Sequence, residues 1–178
     1  MNRELVEAAR RGDRDAFDAL VRQEVASVYR TALAILGNAA DAEEATQDAF
    51  LSAWQNLRSL REAERFDAWF GRVVVNAARM VVRRRRGVRE ISIGPDEATS
   101  VSASAGAPDP ETAAIGSDAF DRAFDGLSVE ERYLLAVTYA EARSLEEVGR
   151  LLGIPVGTVK SRLSRARAAL ARALEGQA

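Results

Sequence analysis

The 178-residue sequence contains no cysteine and no histidine. Without thiols or imidazoles the chain cannot form disulfides, sense redox state through a thiol or build a zinc finger. Catalysis that needs either group is excluded as well. An enzyme would therefore need a constellation of carboxylates, and none stands out beyond helix caps and exposed acids. The sequence favours a non-enzymatic binding protein with no metal site and no cofactor.

Long apolar runs are also missing. No stretch approaches the roughly 18 residues of a membrane-spanning helix, and the charged N-terminal segment MNRELVEAARRGDRD has no signal-peptide core. We therefore expect a soluble, cytoplasmic protein without membrane insertion. No stretch combines strand-like alternation with turn signals, so the expected fold class is all-α.

The net charge of −2 conceals an uneven distribution along the chain. Residues 1–87 carry 15 basic and 13 acidic side chains, residues 88–126 carry 2 and 8, and residues 127–178 carry 8 and 6. Two weakly basic segments therefore flank an acidic one. Affinity for a duplex grows with the number of phosphates that are neutralised. Neither basic segment is therefore expected to hold DNA strongly without a larger partner.

The acidic segment contains a connector that is recognisable by its composition. Three of the four prolines lie in GPDEATSVSASAGAPDPETAAIG, which also lacks helical apolar periodicity. We therefore predict two small helical domains, residues 1–87 and residues 117–178, joined by a flexible acidic linker at residues 88–116. Such a linker leaves the relative orientation of the two domains open.

Capping residues and apolar periodicity predict the helices of both domains. In the first domain these are Leu5–Ala9, a long helix capped by Asp13 and ended by Gly37, a third opened by Asp41 with Glu44 and continuing to about Leu57, and a fourth from about Asp67 to Arg86. The second domain starts with a short helix over Asp118–Phe124 and a helix opened by Ser128 with Glu131 that continues to about Ala140.

The segment SLEEVGRLLGIPVGTVKSRLSRARAAL predicts a helix-turn-helix. Ser144 with Glu147 forms a capping box, Gly153 can adopt the left-handed conformation that ends a helix, and Pro155 prevents the helix from continuing. A second helix from about Val156 has an apolar side and a polar, basic side. Such a face reads a DNA major groove, although an ordinary helical hairpin with solvated arginines fits the same pattern.

The fourth predicted helix carries a basic stripe. Five polar side chains, spaced four, three, four and three residues apart, share one helix face: Arg72, Asn76, Arg79, Arg83 and Arg86. No acidic residue lies between the first and the last of them, and Arg84 and Arg85 broaden the end of the stripe. The stripe can follow a phosphate backbone, and Asn76 can hydrogen-bond a base edge. The alternative is a solvated helix face.

The third predicted helix has the opposite charge. Its first turns carry Asp41, Glu43, Glu44, Gln47 and Asp48. A favourable interaction with the helix dipole explains the first of these acids. Ser52 and Gln55 extend the polar surface, which on spacing alone is either solvent-facing or a docking site.

Three segments, in this order, resemble bacterial sigma factors of RNA polymerase, in particular the small extracytoplasmic-function group. DAEEATQDAFLSAW is similar to the segment that docks on the clamp helices of the polymerase. RFDAWFGRVVVNAARMVVRRRR is similar to the segment that captures the −10 element, and GIPVGTVKSRLSRAR to the helix-turn-helix that reads the −35 element. The resemblance covers residues 14–87 and 118–174. Gly149 departs from it, since alanine is common there and an interior glycine costs about 0.5–1 kcal/mol.

The resemblance implies roles for individual residues. Those implied to contact the polymerase clamp are Asp41, Glu44, Gln47, Asp48 and Ser52. The loop Arg58–Arg65 is implied to shape a pocket for a flipped −10 base, and the −10 contacts are assigned to Arg58, Arg61, Arg65, Arg72, Asn76, Arg79 and Arg83. In the second domain Ser161, Ser164 and Arg165 are implied to face −35 base edges, while Thr158, Lys160 and Arg162 hold phosphates.

The implied function is that of a specificity subunit that directs core RNA polymerase to promoters. The first domain would bind the clamp and melt the −10 region, and the second would bind the flap and the −35 duplex. Expected partners are core polymerase, promoter DNA and an anti-sigma factor, and we expect the free chain to be a monomer. Two alternatives remain, a helix-turn-helix regulator that acts without polymerase and a sigma-like decoy that binds an anti-sigma factor.

Overall fold

The computed structural model describes the backbone of residues 3–92 and 114–176 and, within these ranges, the side chains of residues 3–85 and 118–176. Helices dominate these residues, among which there is no strand, so the predicted all-α class is confirmed. The α-helices are α1 (Arg3–Arg10), α2 (Arg14–Leu36), α3 (Ala39–Asn56), α4 (Phe66–Ser92), α5 (Ala114–Asp125), α6 (Val129–Leu135), α7 (Leu145–Leu152) and α8 (Val156–Glu175). Two 3₁₀ turns, Leu57–Ser59 and Ala63–Arg65, precede α4, and a π-helical segment, Ala136–Ala140, follows α6.

Most helix ends are formed by the residues that the sequence predicts. The Asp13 carboxylate accepts a hydrogen bond from the Ala16 N–H, and α2 ends at Gly37 with φ of 65°. The capping boxes at Ser128 and Ser144 are both complete, and α7 ends at Gly153 with φ of 64°. At the second box, the hydrogen bond from the Ser144 N–H to Glu147 lowers the pKa of that carboxyl.

The start of α3 differs from the prediction. Asn38 is the N-cap, and its side-chain oxygen accepts a hydrogen bond from the Asp41 N–H at 3.0 Å. The capping arrangement predicted for Asp41 with Glu44 is therefore wrong. Asn38 directly follows Gly37, so one helix ends and the next begins without a longer loop between them. Asp41 lies in the first turn, where its negative charge still stabilises the helix by interacting favourably with the helix dipole.

The predicted linker at residues 88–116 is occupied by helix at both of its ends. The helix α4 continues to Ser92, beyond the predicted end at Arg86, and α5 begins at Ala114. Residues 93–113, which form the rest of the predicted linker, lie outside the described residues.

The first domain has a core formed by α2, α3 and α4. On α3 the inward positions are alanines, each at most 2% exposed, which let the neighbouring helices approach closely: Ala42, Ala45, Ala49 and Ala53. Aromatic rings also pack in this core, with Phe17 and Trp54 centred 4.9 Å apart in a tilted pair and Phe66 and Phe70 5.4 Å apart in a stacked pair. Such ring pairs contribute beyond the area that they bury.

The two predicted domains pack against each other and share one hydrophobic core. The helix α6, its π-helical extension and α7 lie against α2 and α4. Arg132 on α6, which is 4% exposed, donates to the Ile35 carbonyl of α2 at 2.9 Å. Within its own domain the same guanidinium binds the Leu127 carbonyl and the Asp125 carboxylate. An arginine from one domain therefore caps the C-terminal end of a helix in the other.

A second polar contact between the domains centres on Glu141, whose side chain is 7% exposed. The hydroxyls of Thr31 and Ser27 on α2 both donate to its carboxylate, and Arg143 pairs with it at 2.6 Å. Between the two charged residues, Ala142 has φ of 50°. This left-handed conformation costs a residue with a Cβ about 1–2 kcal/mol, so the surrounding contacts must hold it in place.

We predict that Arg132→Ala lowers the free energy of unfolding by about 3 kcal/mol. The Ile35 and Leu127 carbonyls then lose a buried donor, at a cost of about 1–3 kcal/mol for each unsatisfied group. Urea denaturation followed by circular dichroism measures the loss. The matched control is Arg150→Ala on the exposed side of α7, for which the expected change is below about 0.5 kcal/mol. Equal losses in the two variants would contradict the buried capping role.

Candidate nucleic-acid interface

The predicted −35 residues lie on the solvent-exposed side of α8. Val159, Leu163 and Ala166 are the buried residues of this helix and fix its orientation. Gly153 and Pro155 position its start, because the first ends α7 and the second is the N-cap of α8. Five of the predicted residues are exposed and Thr158 is half-buried, the exposed ones being Lys160, Ser161, Arg162, Ser164 and Arg165.

The residues predicted to contact bases and those predicted to contact phosphates lie at different positions around α8. At about 100° per residue, Ser161, Ser164 and Arg165 fall in the centre of the exposed arc. Lys160 falls on one flank, and Thr158 with Arg162 on the other. The Arg165 Nε donates to the Ser161 carbonyl at 3.4 Å, which holds the guanidinium along this face. Short side chains at the centre of the arc let a helix approach base edges closely.

The basic stripe on α4 is exposed, as its spacing predicts. Arg72, Asn76, Arg79 and Arg83 lie on the face opposite the buried Phe70, Val74 and Val81. The stripe is not free of acids, however. Arg79 donates to the Asn76 side-chain oxygen at 2.9 Å and forms an ion pair with Glu130 of α6. Although the sequence of the stripe itself contains no acid, Glu130 of the second domain thus neutralises the charge of Arg79. The side chain of Arg86 lies outside the described residues.

Arg84 and Arg85 do not broaden this stripe, which corrects the prediction. Arg84 pairs with Glu44 at 3.0 Å and with Asp48 at 2.7 Å, and Arg85 pairs with Asp41 at 2.8 Å. The hydrogen bond to Asp48 raises the pKa of Arg84. Both arginines lie on the side of α4 that faces α3, so their charges serve the contact between these helices.

The predicted polymerase-binding residues share one side of α3. Glu44 and Gln47 are exposed, while Asp41, Asp48 and Ser52 are half-buried. Leu51, which the sequence reasoning missed, lies on the same side between Gln47 and Ser52 and is 57% exposed. A single exposed apolar side chain is common on protein surfaces, so Leu51 is of interest only because it lies among the residues predicted to bind polymerase. Its position one turn after Gln47 was the available signal.

The loop before α4 presents Arg58, Arg61 and Arg65 to solvent. Its underside is anchored by four buried apolar residues: Leu57, Leu60, Ala63 and Phe66. Arg65 pairs with Glu62 within the loop. The loop therefore has a fixed base and an exposed basic rim at the N-terminal end of the α4 stripe.

Among the described residues, no group of three or more Asp and Glu side chains could hold a metal ion. In the same part of the chain, no helix combines the length and apolar character needed to cross a membrane.

Comparison with family models covers both helical domains. Residues 20–88 match sigma-70 region 2, and residues 117–170 match sigma-70 region 4. Together the two matches span more than half of the chain.

Full-length relatives are sigma factors as well. The chain is 38% identical over 178 residues to the ECF RNA polymerase sigma factor SigM of Mycobacterium tuberculosis, an alignment that covers 97% of this chain and 84% of that protein. It is 28% identical over 181 residues to the ECF RNA polymerase sigma factor SigW of Bacillus subtilis, covering 98% and 97%.

Solved structures share the fold. CnrH, solved in complex with the cytosolic domain of CnrY, has a TM-score of 0.63 at 25% identity, with 99% of this chain and 98% of that chain covered. RpoE of Bartonella quintana, solved with the anti-sigma factor NepR, has a TM-score of 0.55 at 24% identity, with 89% and 96% covered.

We predict that Arg83→Ala and Arg84→Ala differ in their effect on nucleic-acid binding, although the two arginines are adjacent. Arg83→Ala should weaken binding of single-stranded DNA severalfold and reduce the slope of log affinity against log salt by about 0.7, the value for one phosphate contact. Arg84→Ala should leave both unchanged, because that side chain is engaged by α3. Fluorescence anisotropy of a labelled oligonucleotide over a salt series measures both quantities. Similar losses in the two variants would refute the separation.

Proposed function

The chain belongs to the extracytoplasmic-function group of the sigma-70 family, and from this premise we propose how its residues carry out that group's task. The chain directs core RNA polymerase to specific promoters. The matches to regions 2 and 4 together argue against a regulator built on a helix-turn-helix alone, since such a protein has no need of the first domain.

The −35 element is read by α8. Arg165 and Ser161 lie at the centre of its exposed arc, where a helix in the major groove meets base edges. The terminal nitrogens of Arg165 suit the paired acceptors of a guanine. Lys160 and Arg162, on opposite flanks, lie where the two phosphate backbones bound the groove. The support for this division is the burial of Val159, Leu163 and Ala166, which fixes the side of α8 that faces outward.

The −10 element is captured by α4 together with the loop before it. Arg72, Arg79 and Arg83 would neutralise phosphates of the melted strand, and Asn76 would bind a base edge. The rim formed by Arg58, Arg61 and Arg65 would border a pocket for an extruded base. Unstacking costs a few kcal/mol, which binding of the free base in such a pocket can offset. Melting then follows from capture of the single strand and needs no catalytic group.

The polymerase clamp is bound by the outer side of α3. Glu44 and Gln47 supply exposed polar contacts, and Asp41, Asp48 and Ser52 border them. Leu51 supplies an apolar anchor within the same face. Arg84 and Arg85 hold the half-buried acids in place from α4, so the docking surface and the −10 helix are one rigid unit. The second domain would bind the polymerase flap, and the acidic linker would lie in the basic RNA exit path.

We further propose an anti-sigma factor as a partner of this chain. RpoE of Bartonella quintana was solved with the anti-sigma factor NepR, and CnrH was solved in complex with the cytosolic domain of CnrY. Exposed polymerase-binding and DNA-binding faces on this chain need to be covered when it is idle. A cytoplasmic monomer without catalytic activity fits this role.

Run-off transcription on genomic DNA, with purified bacterial core polymerase and with or without the chain, tests the proposal. New discrete start sites that share upstream −35 and −10 motifs are the expected result. No new transcripts despite tight binding to core polymerase would favour a sigma-like decoy instead. No new transcripts and no binding to core polymerase would favour a regulator that acts through its helix-turn-helix alone.

We predict that Arg165→Ala and Lys160→Ala weaken DNA binding in different ways. Arg165→Ala should weaken binding to the −35 duplex by about 1–3 kcal/mol and relax specificity at one position. Lys160→Ala should weaken binding to all DNA sequences alike and reduce the slope of log affinity against log salt by about 0.9. Arg172→Ala, at the exposed far end of α8, is the control. The measurement is a competition assay with matched and mismatched duplexes on the holoenzyme. Identical behaviour of the two variants would show the division to be wrong.

A further inference from the structure

The first helix, α1, packs against the loop that precedes α4. Val6 and Ala9 of this helix are buried, at 1% and 2% exposed. The helix contacts both 3₁₀ turns of the loop, Leu57–Ser59 and Ala63–Arg65. None of the DNA and polymerase contacts proposed above falls on α1. The position of α1 against both turns of the loop nevertheless allows it to control the shape of that loop.

The guanidinium of Arg58 lies against the backbone at the end of α1. Gly12, in the turn that follows the helix, has φ of 97°, and its N–H donates to the Ala9 carbonyl at 2.9 Å. An ideal Cβ built on Gly12 would lie 3.0 Å from Nη2 of Arg58. The positive charge also suits the negative end of the α1 dipole. Arg58 is therefore held on α1, and a side chain on Gly12 would push its guanidinium away.

A second contact joins the start of α1 to the other end of the loop. Arg3 pairs with Glu64 of the second 3₁₀ turn at 2.7 Å, and its Nε donates to Glu7, one turn along α1, at 2.9 Å. Such an exposed ion pair adds little to stability. Because Glu7 fixes the direction of the guanidinium, the pair still defines where the turn around Glu64 lies. The loop is thus held by α1 at both of its turns.

We propose that α1 positions the loop Arg58–Arg65 for base selection at the −10 element, with Gly12 and Arg3 as positioning residues that do not themselves contact DNA. The proposal rests on the role of this loop in −10 capture given above. A pocket discriminates between bases only while supporting residues fix its borders. A displaced Arg58 still carries its charge, so loss of the α1 contact lowers selectivity for the captured base and leaves the attraction to phosphates.

Gly12→Ala is the test variant, and Gly37→Ala is its matched control. Both glycines have positive φ, 97° and 65°, so alanine is strained at either position. At Gly37 a Cβ would meet nothing within 4 Å, whereas at Gly12 it would meet the Arg58 guanidinium. Only Gly12→Ala should therefore displace Arg58. Circular dichroism and thermal unfolding check that both variants fold.

The functional probe is a promoter that run-off transcription identifies, with each −10 nucleotide in turn replaced by an abasic one. Competition binding to the holoenzyme gives the abasic penalty, defined as the ratio of the affinities for the intact and the abasic promoter. The position with the largest penalty in the parent marks the captured base. Gly12→Ala should lower that penalty severalfold and bind the abasic promoter as the parent does, while Gly37→Ala keeps the parent's penalty. Equal penalties in Gly12→Ala and the parent overturn the proposal.

The ion pair gives a second test that does not depend on the stability of a glycine variant. Arg3→Gln and Glu64→Gln should each lower the abasic penalty by about twofold, the size expected for an exposed pair. The double variant should lower it no further, because both changes break one contact. Arg30→Gln, an exposed arginine on α2, is the control for loss of one positive charge. An unchanged penalty in both single variants would show that Arg3 does not position the loop.

The double variant Arg58→Ala with Arg61→Ala separates this inference from the function on which it rests. If that variant keeps the parent's abasic penalty, the role of the loop in −10 capture is wrong, and the inference falls with it. If it lowers the penalty and Gly12→Ala does not, the loop has its proposed role and only the positioning by α1 is wrong.

Discussion

The buried C-terminal end of α2 is the constraint on which the remaining structure depends. Carbonyl groups in the last turn of a helix have no intrahelical donor, and inside a core each needs another partner. Here Gly37 supplies its N–H to Leu33, Arg132 reaches Ile35 from the second domain, and Arg85 reaches Leu36 from α4. Two positive charges at this position also suit the negative end of the helix dipole. One helix end thus joins α4 and α6 to α2.

This helix end links the two surfaces that we assign to polymerase and to DNA. Arg85, which donates to the end of α2, also pairs with Asp41, and the neighbouring Arg84 pairs with two further acids of α3. The acidic docking face is therefore held by the same helix that carries the basic stripe. On the other side, Arg132 fixes α6 so that Glu130 reaches the stripe. The proposed docking face of α3 and the proposed strand-binding face of α4 are consequently joined by contacts of α4.

Local signals in the sequence were sufficient to predict most of the helices. Contacts between distant segments of the chain could not be predicted from such signals. The helix-turn-helix is defined by Ser144, Gly153 and Pro155, which lie in one short segment of the chain, and it folds as predicted. Gly149 is expected to lower the stability of α7, but the structure gives a reason for it. An ideal Cβ built there would lie 3.0 Å from the Ile154 carbonyl oxygen in the tight turn. By contrast, the ion pair of Arg79 with Glu130 joins two segments across a linker with no helical periodicity. No sequence pattern in either segment predicts that the two segments are in contact.

Hydrogen exchange of the α6 and α7 amides in the free chain, compared with that of the α2 amides, tests the central claim most directly. The account predicts similarly slow exchange in all three helices, because α6 and α7 share one core with α2 and α4. Much faster exchange in α6 and α7 than in α2 would contradict it, since the second domain would then not be held by the end of α2.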